Sequence, residues 1–64
     1  MAHPRRPSHR LTFEEAIQVH LMLMKGEFQS RIAARFDTNI GRISEVTTGK
    51  LHPGSRKEAL KRPH

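Results

Sequence analysis

The strongest chemistry in this chain belongs to its histidine, carboxylate and guanidinium side chains, and their spacing decides what that chemistry is. His3, His9, His20, His52 and His64 are the candidate metal ligands. Their gaps of 6, 11, 32 and 12 residues match none of the short paired spacings that bring imidazoles onto one ion. There is no cysteine, so no thiolate takes their place. Glu14 and Glu15 are neighbours facing different directions, and the positive end of a helix dipole explains them better than an acid–base pair does. No glycine-rich phosphate loop and no nucleophile beside a base occurs. The chain reads as a non-enzyme, with no catalytic residue, no metal and no cofactor.

Arg42 is a different case. A guanidinium carries a fork of donors that matches the two major-groove acceptors of guanine. Around it stand Ile40, Gly41, Ser44, Glu45, Thr47 and Thr48. The hydroxyls can meet phosphates or bases, and Glu45 can accept from a cytosine amino group or pair with Arg42 or Lys50. Gly41 weakens a helix by roughly 1 kcal/mol relative to alanine, so it wants a reason; close approach of the backbone to a duplex would be one. Gln29 and Asn39 can bond phosphates as well as start helices, and Lys50 is placed for a phosphate. Arg31 and Arg35, one turn apart, read as a solvated face.

Such residues act together only if short helices hold them outward. Residues 26–49, GEFQSRIAARFDTNIGRISEVTTG, supply two. The spacing predicts one helix over about 29–36, with Ile32, Ala33 and Phe36 inward, and a second over 40–48, with Ile43 and Val46 inward. Asp37, Thr38 and Asn39 form a polar break, Asn39 caps the second helix, and Gly49 stops it. Upstream, Thr12 and Glu15 have capping-box spacing, and a helix runs from there to about Lys25, ended by Gly26. Phe13, Ile17, Leu21 and Met24 are expected on its core face, with Ala16 and His20 at the edge. Val19, Met22 and Leu23 lie off that stripe and are expected to cover a fourth helix or form a homodimer contact. Ser55 and Glu58 repeat the capping-box spacing, which predicts a short, weak helix over 56–62 with Ala59 and Leu60 as its apolar contacts.

The expected fold is therefore all-α: a three-helix helix-turn-helix core over residues 11–53, a disordered basic arm over 1–10, and a basic tail over 54–64 carrying the short helix. Charge follows the same division. Residues 1–10 carry Arg5, Arg6 and Arg10 with no acid, residues 54–64 carry four cations against Glu58, and the middle holds five of each sign. The whole net charge of +6 falls in the two tails, a balance suited to a polyanion. Arg5 and Arg6 match the arginine pairs that some proteins lay in the minor groove. No apolar run approaches the roughly 20 residues of a membrane span, and none follows the first basic residues as in a signal peptide. A cytoplasmic protein is expected, nucleoid-associated if it binds DNA.

The pattern Gly26, Ile32-Ala33, Phe36, Asn39, Ile43 and Val46-x-x-Gly49-Lys50 resembles the small helix-turn-helix domains of bacterial and phage regulators. It is especially similar to the DNA-binding domain of serine recombinases of the resolvase and invertase type, over about residues 11–53. It departs from that pattern at Asp37, where the family usually has glycine, at Phe28, where a serine or threonine cap is common, and at Gly41. The resemblance implies double-stranded DNA as partner, the helix over 40–48 in the major groove, and a role in transcription regulation; no recombinase catalytic domain is present to carry over. The competing expectations are an adaptor docking on a larger machine such as RNA polymerase, and nonspecific nucleic-acid binding. With three phenylalanines and no tyrosine or tryptophan, stacking on single-stranded RNA ranks last.

Overall fold

A computed structural model describes residues 10–62, so Arg5 and Arg6, with His3, His9 and His64, lie outside the described residues. Among those described, the chain is all-α, with α1 at Phe13–Met24, α2 at Gln29–Arg35, α3 at Ile40–Thr48 and α4 at Ser55–Lys61.

Each helix end has a local cause. Thr12 and Glu15 close the capping box in both directions: the Glu15 N–H donates to Thr12 Oγ1 at 3.1 Å, and the Thr12 N–H donates to Glu15 Oε1 at 2.9 Å. Gly26 turns the chain out of α1 at φ +92°, the left-handed region where glycine carries no Cβ penalty. Phe28 occupies the N-cap of α2 and provides no side-chain cap. Asp37 makes the turn between α2 and α3 at φ +54°, a conformation aspartate tolerates better than most residues. Thr38 N–H bonds back to Ala33 O at 2.9 Å across that turn.

The core joins the first three helices. Leu11, Ala16, Val19, Ile32, Ala33, Ile43 and Val46 form one buried cluster, with Met22, Leu23, Phe36 and Leu51 packed against it. α4 packs along α1, α2 lies on α3, and α1 touches both α2 and α3.

Three expectations are corrected here. The buried face of α1 is Ala16, Ile17, Val19 and His20, while Phe13 and Met24 are 42% and 37% exposed. The buried arc has rotated towards Val19 because neighbours cover α1 on two sides, α2–α3 on one and α4 on the other. Val19 is fully buried within its own chain, and the half-buried Met22 and Leu23 pack on the same cluster, so Val19 is not available to the homodimer contact expected of these three residues. The described part of the expected tail forms α4, which docks on α1 with Ala59 fully buried, while Leu60 is exposed. The helix also begins one residue early. Gly54 is its N-cap at φ +95°, and Ser55 lies inside the helix with its hydroxyl buried and unpartnered, so it caps nothing.

Candidate nucleic-acid interface

α3 begins at a well-built N-terminus. Asn39 Oδ1 accepts from the Arg42 N–H at 3.1 Å, satisfying one of the backbone donors that the first turn leaves open. Gly41 sits directly over this cap. A Cβ at residue 41 would meet Asn39 Oδ1 at 3.1 Å, so a local packing reason accounts for the glycine without any ligand.

From this end the outer surface of α3 presents Ile40, which is 51% exposed, Gly41, Arg42 and Ser44. Ile43 and Val46 point into the core and fix the rotation of the helix, so those four residues share the outward side. Arg42 does not stand alone: its Nη1 donates to Glu45 Oε1 at 2.9 Å, three residues along the same face. Lys50 follows the Gly49 stop, exposed and without an ion pair among the described residues. Gln29 begins α2 and is half-buried. The fold thus places Asn39, Ile40, Gly41, Arg42, Ser44 and Glu45 along the first two-thirds of α3 and its cap.

The threonines differ from expectation. Thr47 Oγ1 donates to Ser44 O at 2.7 Å and Thr48 Oγ1 to Glu45 O at 3.2 Å. Each hydroxyl proton is used on its own helix backbone, as threonine commonly does one turn back. What remains outward is an acceptor oxygen, which suits a phosphate poorly. Ser44 keeps an exposed hydroxyl.

Charge is also redistributed relative to the sequence reading. Arg62 forms a two-pronged bond with Glu14, Nη1 to Oε2 at 2.7 Å and Nη2 to Oε1 at 2.9 Å, and Lys61 pairs with Glu58 at 3.4 Å. Half of the four C-terminal cations are thereby matched within the fold. Arg62 first, then the Gln18 amide, holds the Glu14 carboxyl down at about 2, and the Glu14 carboxylate raises Arg62 in turn. Arg31, Arg35, Arg56 and Lys57 are exposed and make no ion pair among the described residues. With Arg10, Lys25 and Lys50, which are likewise exposed and unpaired, these cations spread the unpaired positive charge of the described residues over the fold rather than gathering it in the tail.

His20 is buried at the edge of the α1 face. Burial lowers its pKa, the charge of Arg56 lowers it further, and a hydrogen bond with the Val46 backbone opposes both. No cluster of three or more histidine, aspartate or glutamate side chains placed to hold a metal ion occurs among the described residues, and no helix among them is long and apolar enough to cross a membrane. No family model matches this chain, and neither a curated protein nor a solved structure is similar to it.

Proposed function

We propose that this chain is a small helix-turn-helix protein that binds double-stranded DNA as a transcription regulator, with α3 in the major groove. The observation that carries the reading is the outer end of α3: a capped helix start with Ile40, Arg42 and Ser44 exposed together, while Ile43 and Val46 lock the opposite side into the core. A helix of this size fits the major groove, and an exposed arginine, an aliphatic side chain and a hydroxyl can contact guanine, a thymine methyl group and a phosphate respectively. Lys50 stands just beyond the end of α3, where a cation meets the sugar–phosphate backbone. The resemblance to the DNA-binding domains of resolvase- and invertase-type recombinases, and the arginine pair Arg5 and Arg6, support the same reading. A single helix-turn-helix module makes few base contacts, so its specificity is low unless a dimer or a second bound module contributes.

Selection of bound duplexes from a random library at near-physiological salt tests it. Enrichment of a short motif, with affinity falling steeply as salt rises, is the expected result. Failure to retain any duplex would sink the reading.

One observation favours a second reading, an adaptor that docks on a larger machine such as RNA polymerase. Phe28 is 71% exposed at the N-cap of α2, and Leu60 is 59% exposed on α4. Under that reading Phe28→Ser removes the partner and leaves DNA retention unchanged.

A further inference from the structure

We infer that Arg42 and Glu45 act as one unit that reads a single G·C base pair, with Glu45 as the positioning residue; the inference rests on the DNA-binding reading above. Nη1 of Arg42 gives one N–H to Glu45 Oε1 at 2.9 Å. Its second N–H, both N–H groups of Nη2 and the acceptor Oε2 of Glu45 make no bond among the described residues. Side by side, the pair therefore offers two parallel donors and then an acceptor.

The major-groove edge of a G·C pair is the complement of that row. It runs N7 and O6 of guanine, both acceptors, then the N4 amino donor of cytosine. An A·T pair would set the adenine N6 donor against the arginine fork and the thymine O4 acceptor against the carboxylate. An inverted C·G pair would reverse the order. Arginine alone recognises guanine; the carboxylate beside it adds the cytosine and penalises the other three pairs.

The backbones of both residues are pinned. The Arg42 N–H is held by the Asn39 cap at 3.1 Å. The Glu45 carbonyl accepts from the Lys50 and Leu51 N–H groups at 3.0 and 3.1 Å and from Thr48 Oγ1 at 3.2 Å. Glu45 is also the less exposed of the two side chains, 40% against 51%, so it is the fixed partner and Arg42 the one oriented by it. A carboxylate facing a polyanion weakens contact with every sequence. That makes its effect separable from a role in helix stability.

The test compares wild type with Glu45→Ala, Glu45→Gln and Arg42→Ala on the selected site and on duplexes changed one pair at a time, at fixed salt, with helicity checked by circular dichroism. Wild type is expected to prefer G·C at one position by about tenfold or more. Glu45→Ala should bind unrelated duplexes several-fold tighter while losing most of that preference, and Glu45→Gln, which keeps an acceptor without the charge, should retain part of it. Arg42→Ala should relax the same position. Unchanged preference at every position in Glu45→Ala would overturn the inference and leave the DNA-binding reading intact. So would relaxation of different positions by Arg42→Ala and Glu45→Ala, or a selected motif with no G·C position. A wild type that retains no duplex would overturn both.

Discussion

Arg62 grips Glu14 across 48 positions of sequence, with both carboxylate oxygens engaged at 2.7 and 2.9 Å. This forked ion pair ties the end of α4 to the first turn of α1, and so closes α4 onto the body of the fold. Arg62→Ala and Glu14→Gln should each lower the melting temperature, and the double variant should lose less than the sum of the two. Both side chains are partly exposed, at 38% and 58%, so solvent screens the pair and the effect should shrink with added salt. Glu14 is depressed from 4.5 to about 2 in the fold, so its stabilisation is present above about pH 4.5 and is lost as pH falls through about 2. Additive single variants would show that the contact contributes nothing to α4 docking.

Ser55→Ala should stabilise the protein. The Ser55 hydroxyl is buried without a partner, and leaving such a group unsatisfied costs about 1–3 kcal/mol. Had Ser55 been the cap its sequence context suggests, alanine would cost about 1 kcal/mol instead. Urea unfolding separates the two by the sign of the change in midpoint. A lower midpoint in Ser55→Ala would return Ser55 to a capping role.

Gly41→Ala should fail to give the gain of roughly 1 kcal/mol that alanine usually brings to a helix interior. The new Cβ would press on Asn39 Oδ1 at 3.1 Å and loosen the cap. In an Asn39→Ala background that obstacle is gone, and the same substitution should stabilise by about the full amount. Equal effects in both backgrounds, measured by chemical unfolding, would rule out the crowding.

His20 should make the fold acid-sensitive. Burial first, and then the charge of Arg56, lower its pKa below the ordinary 6.5, so the unfolded chain takes up a proton there before the folded one. Stability present above about pH 6.5 is therefore expected to fall as pH drops below that value. His20, His52 and Arg56 line one cavity of about 190 Å³, so His52 is the proper control. The decline should disappear in His20→Gln and persist in His52→Asn. Its survival in His20→Gln would assign it elsewhere.

Local chemistry was readable in the sequence because its causes are short-range. Thr12 with Glu15, Gly26, Asn39 and Gly49 mark helix ends through bonds and backbone angles spanning only a few residues. The same holds for the spacing of Ile32, Ala33, Ile43 and Val46, which faces α2 and α3 inward, and for the outward set Ile40, Arg42 and Ser44. What tertiary structure alone decided is which groups meet across the chain. Apolar periodicity offered two stripes on α1, and it was packing in one cluster with Ile32, Ala33, Ile43 and Val46 of α2 and α3 that buried the one containing Val19. No spacing rule pairs Arg62 with Glu14, or sets the His52 ring to donate from Nε2 to the Leu11 carbonyl 41 positions away. Such contacts depend on how complete helices pack, because a side chain's partner across the chain is fixed by the position of another element and not by its own neighbours.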